Sequence, residues 1–249
     1  RPARRIRRGM IIDCGPIQVE VLAEPDRGEV VVALEAKESD IESALASVGE
    51  VPLPPYIHEP LDDSDRYQTV FAKSIGSAAA PTAALHFTDR LLNDLARRGI
   101  RIAEVDLEIG LDTFRPISAV SIGDHEMHSE TWSLSSETAA SIAATRERGG
   151  RVVAVGTTVV RTLESAAAGS GLVHAGAGKT ELFITPGYQM KVVDTVLTNF
   201  HAPRTTLIVM VAALLGDSWR AIYAHAIAAG YRFLSFGDAM LIEQPVNPR

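Results

Sequence analysis

Apolar residues follow two different periods along this chain, and the change comes near residue 50. In residues 10–35 apolar and polar positions alternate, with Ile17, Val19 and Val21 on one face and a turn-like stretch at residues 25–28. A period of two is typical of half-buried antiparallel strands. We therefore predict a small antiparallel β-barrel-like domain over residues 1–50. The proline-rich residues 51–57 must be extended, because proline disfavours helix at the residue before it. We interpret them as a connector.

Beyond residue 51, segments with helical and strand patterns take turns. Thr88 is expected to cap a helix that carries Leu91, Leu92 and Leu95 and stops at Gly99. The pattern predicts further helices at residues 135–148, from Gly156 through residue 168, and at 205–215 and 218–229. It predicts strands at residues 100–109, 151–155, 181–184 and 233–242. Alternation of this kind indicates an α/β catalytic domain with a mixed sheet over residues 51–249.

Composition narrows the class of protein. The chain has 249 residues, 46% hydrophobic and 22% charged, as in ordinary soluble globular domains. The apolar run at residues 207–215 is too short to span a bilayer, so we expect no membrane partner. The single cysteine, Cys14, excludes an internal disulfide and favours a cytoplasmic location. The chain begins without Met and in mid-pattern, which suggests that a segment is missing upstream.

The net charge of −7 argues against a general binder of polyanions. It leaves room for a nucleic-acid substrate bound by a local basic patch. One such patch lies at the start, and it could equally be a solvated arm: Arg1, Arg4, Arg5, Arg7 and Arg8.

Several familiar site motifs fail on spacing or context. Gly178-Lys179-Thr180 lacks the glycine that a phosphate-binding loop needs five positions earlier, where Val173 stands, and a strand-like segment follows it. The histidines and carboxylates of residues 125–130 do not have the spacing of a zinc-protease helix, so we predict no metal site. Nucleophile-elbow and dinucleotide-binding glycine patterns are absent.

Other polar segments favour a binding site. Residues 65–88 and 198–204 are too rich in hydrogen-bonding and small side chains for a hydrophobic core. Gly156 stands where a buried strand meets a helix, a position that faces ligands in α/β sheets. One turn on, Arg161 and Glu164 share a helix face and could instead form a surface ion pair. A charge pair between Arg232 and Asp238 is expected within an apolar segment.

Taken in order, seven segments resemble one family, the S-adenosylmethionine:tRNA ribosyltransferase-isomerases of queuosine biosynthesis. They are residues 51–57, 65–88, 125–130, 155–164, 183–187, 198–201 and 231–242. The resemblance implies transfer of the ribosyl portion of S-adenosylmethionine to a 7-aminomethyl-7-deazaguanine base in tRNA. The sugar is isomerised to give epoxyqueuosine, and adenine and methionine leave. It also implies no metal or redox cofactor, and we expect a monomer.

The resemblance gives roles to residues in these segments. The sulfonium makes the C5′ hydrogens acidic, so a base is needed, and adenine must be protonated to leave, so an acid is needed. The expected base is one of His86, His125 and His201, and the expected acid is Glu130 or Asp238. The expected substrate-binding residues are Arg66, Tyr67, Gln68, Ser77, Thr82, Gly156, Thr157, Thr158, Arg161, Asn199 and Arg232.

Two departures from the family pattern keep a second hypothesis open. Glu108 stands where the family has a histidine, and Asp112 where it has a glycine. Either a carboxylate takes over the work of the histidine, or the chain is a paralogue that binds tRNA or an adenosine ligand with altered substrate or without turnover. An ordinary methyltransferase is a third, weaker reading, because no glycine-rich first strand and loop is present.

Overall fold

The computed structural model describes residues 5–26, 30–37, 40–50, 52–59, 61–72, 79–108, 121–125, 127, 129–167 and 171–243. The chain divides into two compact units, Arg1–Pro52 and Leu53–Arg249. Mixed α/β structure agrees with the predicted fold class. The predictions for Ser77, His128 and Asp112 concern residues outside the described ranges.

The first unit contains an antiparallel sheet and one helix. Strands β1 (Ile11–Asp13), β2 (Ile17–Val21) and β3 (Val32–Ala36) pair in the order β1-β2-β3, with Ile17 opposite Ala36. The alternation of β2 buries Ile17 and Val21, as the sequence predicts. Helix α1 (Ile41–Val48) follows, capped by the Asp40 carboxylate. In the described part of this unit the strands form an open three-stranded sheet. These residues therefore do not form the predicted barrel.

The second unit holds two further three-stranded sheets. Strand β5 pairs antiparallel with β4 and β7, whereas β8 pairs in parallel with β6 and antiparallel with β9. The strands are β4 (Asp106–Glu108), β5 (Glu130–Leu134), β6 (Val153–Val155), β7 (Gly176–Thr180), β8 (Thr195–Asn199) and β9 (Ala239–Glu243). The helices are α2 (Asp89–Arg97), α3 (Ser136–Glu147), α4 (Thr157–Ala166), α5 (Thr206–Leu215) and α6 (Trp219–Ala228).

Helix starts in this unit follow the capping rules. The side chains of Thr88, Ser135 and Thr205 each accept a hydrogen bond from a backbone N–H in the first turn, at α2, α3 and α5 respectively. These bonds satisfy donors that a helix start leaves free. The predicted helices at 88–99, 135–148, 156–168, 205–215 and 218–229 are confirmed within a few residues.

The core of the second unit packs α4 and α5 around the β6–β8 pair. Ala154, Val160, Val196 and Val211 are fully buried. One further segment, Thr206–Ala228, is long and apolar enough to cross a membrane by length and composition. In the structure it is two helices, α5 and α6, separated by a 3-10 turn that begins at Gly216 with φ 57°. Both helices contribute to the core, through residues such as Met210 and Tyr223.

Three strand predictions need correction. Residues 181–184 form no strand, and the preceding Gly176–Thr180 pairs with β5 instead. Gly178 lies opposite Trp132, and a Cβ there would come within 3.2 Å of the indole, so the glycine makes room for the ring. Of residues 100–108, the described part of the predicted 100–109 strand, Asp106–Glu108 is paired, and the last strand is confined to Ala239–Glu243.

Candidate active site

The parallel pair β6–β8 sets the position of the site. Val155 lies opposite Leu197, and the Gly156 N–H donates to the Leu197 carbonyl at 2.8 Å, so both strands end at one edge. Gly156 has φ 93°, a conformation that glycine adopts without strain, and it turns the chain from β6 into α4. Polar side chains that follow parallel strands are placed to meet a ligand at this edge.

A short 3-10 turn, Thr82–His86, packs against the carboxyl edge of β8. The Thr82 hydroxyl donates to Asn199 Oδ1 at 3.4 Å, and Asn199 Nδ2 lies 3.3 Å from His86 Nε2. A Cβ on Gly156 would lie 3.7 Å from the Ala83 Cβ, which shows how closely the turn approaches the start of α4. Asn199 is buried, whereas His86 is exposed. The structure thus brings four predicted site residues together: Thr82, His86, Gly156 and Asn199.

His201 lies just beyond the same strand in a drier environment. Its Nε2 is 2.9 Å from the Thr198 hydroxyl, and its backbone N–H donates to the Tyr223 hydroxyl at 3.1 Å. Burial lowers the pKa of the His201 imidazole to about 4, because the charged form loses hydration. His201 is therefore neutral near pH 7.

Residues 231–238, which we call the edge loop, complete this side of the site. The Leu234 N–H donates to the Phe200 carbonyl at 2.9 Å, and Asp238 precedes Ala239, which pairs with Asn199. The Arg232 N–H donates to Asp238 Oδ2 at 2.7 Å, and the guanidinium lies 3.6 Å from Oδ1. The predicted Arg232–Asp238 pair is confirmed, although its arginine side chain is 76% exposed rather than buried.

Two tyrosines connect earlier segments to the edge loop. The Tyr56 hydroxyl and Ser235 Oγ are 2.7 Å apart, and the Tyr67 ring meets Phe236 edge-on at 5.8 Å. Burial raises the pKa of Tyr67 to about 12, with Ser235 offsetting part of the rise, so Tyr67 stays protonated. Tyr67 belongs to a 3-10 turn, Ser64–Tyr67, that leaves Arg66 and the following Gln68 exposed. Tyr56 and Ser235 lie in segments that resemble the family, but no pattern predicts their pairing, because the contact joins positions 179 residues apart.

Two predicted site residues are buried in a pair away from this edge. Arg161 bonds to the Glu130 carboxylate and donates to the Leu182 carbonyl at 3.2 Å. Both side chains are about one-tenth exposed, at 9% and 10%. Burial lowers the pKa of Arg161, and the neighbouring carboxylate opposes that shift. The surface ion pair of Arg161 with Glu164 is wrong, since each residue has other partners.

Glu164 is the polar residue whose role the sequence missed. Its carboxylate accepts four hydrogen bonds, from the Tyr188 hydroxyl and from the backbone N–H groups of Lys191, Val192 and Val193, at 2.9–3.1 Å. It is 1% exposed. The carboxylate thereby fixes the segment that leads into β8, and this is a structural role.

The remaining predicted residues are placed as follows. Thr157 and Thr158 form the half-buried first turn of α4, at the site edge. The half-buried His125 meets the Phe183 ring edge-on at 5.5 Å. Among the residues that the structure describes, no three His, Cys, Asp or Glu side chains are placed to share a metal ion.

A separate groove of about 360 Å³ lies at the opposite, amino end of β6. It is bounded by the segment after α2, by α3 and by Val152 and Val153, with Arg101, Arg148 and Arg151 among its polar side chains. Two of these arginines have partners: Arg101 donates to the Thr145 hydroxyl at 2.7 Å, and Arg151 pairs with Glu243 at 2.9 Å. The groove is thus distinct from the polar edge.

Polar side chains lie at the carboxyl edge of a parallel strand pair, where α/β proteins bind their ligands, so the chain is an α/β protein with a candidate ligand site at that edge. Comparison with known protein families identifies the particular family. Residues 1–242 match the family described as "Queuosine biosynthesis protein", and the chain belongs to this family.

Named relatives agree. The S-adenosylmethionine:tRNA ribosyltransferase-isomerase of Moorella thermoacetica is 49% identical over 245 residues, covering 97% of this chain and 72% of that protein. The enzyme of the same name from Natranaerobius thermophilus is 46% identical over 246 residues, covering 98% and 71%. The crystal structure of S-adenosylmethionine tRNA ribosyltransferase from Thermotoga maritima matches with a TM-score of 0.53 and 32% identity, covering 97% of this chain and 68% of that one.

Proposed function

We propose that this chain transfers the ribosyl portion of S-adenosylmethionine to tRNA and isomerises it, as the names of its relatives state for those proteins. The acceptor is the aminomethyl group of 7-aminomethyl-7-deazaguanine in tRNA, the product is epoxyqueuosine in tRNA, and adenine and methionine are released. The proposal includes a monomer in the cytoplasm that uses no metal or redox cofactor.

The observation that carries the site assignment is the convergence of Thr82, His86, Gly156 and Asn199 at one edge. Gly156 lets the Thr82–His86 turn approach the start of α4 closely, because a Cβ there would lie 3.7 Å from the Ala83 Cβ. The first turn of α4 offers N–H groups and the Thr157 and Thr158 hydroxyls to polar groups of S-adenosylmethionine, such as its carboxylate.

Among the three histidines, His86 fits best as the base that removes a C5′ proton. It is exposed at the edge, and the Asn199 amide orients its ring through a long 3.3 Å contact that a substrate could replace. His201 is a weaker proton acceptor, since burial lowers its pKa to about 4. His125 packs on Phe183 instead.

Of the two carboxylates considered as the acid for adenine, Asp238 is the better placed. It is 38% exposed and lies beside the edge, whereas Glu130 is held in the buried pair with Arg161. Arg232, Arg66 and Gln68 are exposed around the same edge and are proposed to contact substrate.

Product analysis tests the reaction. The protein is incubated with S-adenosylmethionine and a tRNA that carries the aminomethyl base, and the small products are separated. Free adenine with methionine is expected. S-adenosylhomocysteine would indicate a methyltransferase, and binding without product would indicate the non-catalytic paralogue that the Glu108 and Asp112 departures suggest.

His86→Gln tests the base assignment. Loss of a general base lowers turnover by roughly 10²- to 10⁴-fold, and we expect a fall of that order with normal folding. His174→Gln is the matched control, because this exposed histidine lies in the loop before β7. If His86→Gln turns over normally while His201→Gln or His125→Gln does not, the assignment moves to that residue.

A further inference from the structure

The edge loop exposes two aromatic rings and a cation beside the site. Tyr231 is 48% exposed, Phe236 is 40% exposed, and the Arg232 side chain is 76% exposed. Two partly exposed rings and a cation on one eight-residue loop next to a polar site offer apolar faces and positive charge together, and a ligand could stack on such a surface.

Both exposed rings are held by buried rings. Tyr231 meets Phe200 edge-on at 5.6 Å, and Phe236 meets Tyr67 edge-on at 5.8 Å. Phe200 and Tyr67 are 4% and 2% exposed. Because each exposed ring rests on a fixed partner, it has little conformational freedom to lose when a ligand stacks on it.

The backbone of the edge loop is tightly closed. The Arg232 N–H donates to the Asp238 carboxylate at 2.7 Å, and the Asp238 N–H donates back to the Arg232 carbonyl at 2.7 Å. A Cβ on Gly237 would come within 2.4 Å of the Arg232 carbonyl oxygen, so glycine alone fits there. Leu234 has φ 72°, an unfavourable conformation that the surrounding bonds maintain. The loop therefore presents its exposed side chains from a rigid frame.

Arginines lie around the edge although the net charge is −7, and carboxylates lie among them: Asp62, Asp63 and Asp65 precede Arg66 and are exposed. Arg66, which precedes Tyr67, and Arg204, which follows His201 by three residues, are exposed in addition to Arg232. Asp238 lies 3.6 Å from Arg232 and orients the guanidinium while leaving most of it in water. A guanidinium can bind a phosphate through two parallel hydrogen bonds.

We propose that the edge loop is the docking platform for unpaired nucleotides of the tRNA substrate. Tyr231 and Phe236 stack on bases that flank the modified one, and Arg232 binds a neighbouring phosphate. Proteins recognise single-stranded RNA by this combination of aromatic stacking and basic side chains. The inference rests on the proposed function, since it assigns the surface through which that site receives its RNA.

Binding of an anticodon stem-loop RNA that carries the aminomethyl base tests the platform. Tyr231→Ala and Phe236→Ala are each expected to raise the Kd for this RNA on the order of tenfold. Tyr231→Phe, which keeps the ring, is expected to bind normally. Ile102→Ala is the control for loss of an exposed apolar side chain, since Ile102 is 44% exposed near the opposite groove. Tyr231→Leu and Phe236→Leu, which keep apolar contact but lack a stacking face, replace the alanine variant at the same position if it does not fold.

Salt dependence tests the phosphate contact separately. Arg232→Gln is expected to lower the slope of log Kd against log salt by about one. Arg148→Gln, at the opposite groove, is expected to leave the slope unchanged. A lower slope in Arg148→Gln with a normal slope in Arg232→Gln would place the RNA on that groove and overturn the proposal, as would unchanged affinities in the ring variants.

Binding of S-adenosylmethionine by the wild-type protein separates this inference from the proposed function. If the wild type binds S-adenosylmethionine and releases adenine, while all edge-loop variants bind RNA normally, only the platform fails. If the wild type neither binds S-adenosylmethionine nor releases adenine, the proposed function fails first.

Discussion

The two ends of helix α4 place similar-looking polar residues in opposite environments. At its start, Gly156 lies beside an open edge where His86 is exposed and its contact with Asn199 is long, at 3.3 Å. One to two turns later, Arg161 and Glu164 are buried, and partners within the protein bind their charged groups. Polar groups whose partners are all internal stabilise a fold, whereas exposed groups with weak internal contacts are free to bind a ligand.

This difference changes how the family residues are interpreted. Arg161 and Glu130 lie within segments that resemble the family, yet in the structure they form a hydrogen-bonded ion pair with each other. His86 and Asn199 lie in comparable segments and face the edge. Membership in a family segment therefore does not by itself indicate contact with substrate.

The largest effect on stability is expected at Glu164. Glu164→Gln replaces one carboxylate oxygen by an NH₂ group that faces N–H or O–H donors, so two of the four bonds are lost and donors are left unpaired. We expect the free energy of unfolding to fall by roughly 3 to 5 kcal/mol. Urea unfolding at constant m-value measures it.

Glu137→Gln is the control for Glu164→Gln, because Glu137 is exposed in the first turn of α3. It is expected to change stability by no more than about 0.5 kcal/mol. A loss below about 1 kcal/mol in Glu164→Gln would mean that the buried end of α4 is not held as the four bonds indicate.

The next largest effect is expected at the Arg161–Glu130 pair. Arg161→Met leaves a buried carboxylate without its guanidinium, and Glu130→Gln leaves a buried guanidinium without its carboxylate. Each is expected to cost about 3 kcal/mol, and the double variant less than the sum, because one interaction is lost only once. A double-mutant cycle in urea measures the coupling.

Additive losses within about 0.5 kcal/mol would show that the two residues do not act as a unit.

Kinetic measurements also test the contrast between the two ends of α4. If Arg161→Met folds normally but raises the KM for S-adenosylmethionine, its guanidinium serves substrate, and the contrast between the two ends of α4 fails.

The site edge could be predicted where local rules decide the structure. An apolar run followed by Gly156 predicted a strand, a turn and a helix, and β6, a positive φ and α4 are found there. Capping residues such as Thr88 fixed helix starts in the same way. These features depend on neighbours within a few residues.

Long-range contacts decided the rest. Gly176–Thr180 looked like a loop because of its glycines, and only pairing with Trp132 explains a strand with Gly178 at its centre. The partner of Arg161 lies 31 residues away, and the donors to Glu164 lie 24 to 29 residues away. Spacing along a chain carries no information on such partners. The burial of Arg161 and Glu164, and the hydrogen bonds that satisfy them, are therefore visible only in the structure.

The last effect, no larger than that of the Arg161–Glu130 pair and confined to low pH, concerns His201 at the boundary between the two environments. Its pKa is lowered to about 4 in the folded protein, against about 6.5 in an unfolded chain. Between these pH values the unfolded state binds a proton more readily than the folded state. The free energy of unfolding therefore falls as pH falls from about 6.5 towards 4. The loss is expected to be about 3 kcal/mol.

His201→Gln isolates this effect, because glutamine does not titrate and all other groups are common to both proteins. The difference in unfolding free energy, wild type minus variant, is expected to fall by about 3 kcal/mol between pH 7 and pH 4. A flat difference would mean that the imidazole is well hydrated. His201 would then belong with His86 at the open edge, and it would compete with His86 for the role of base.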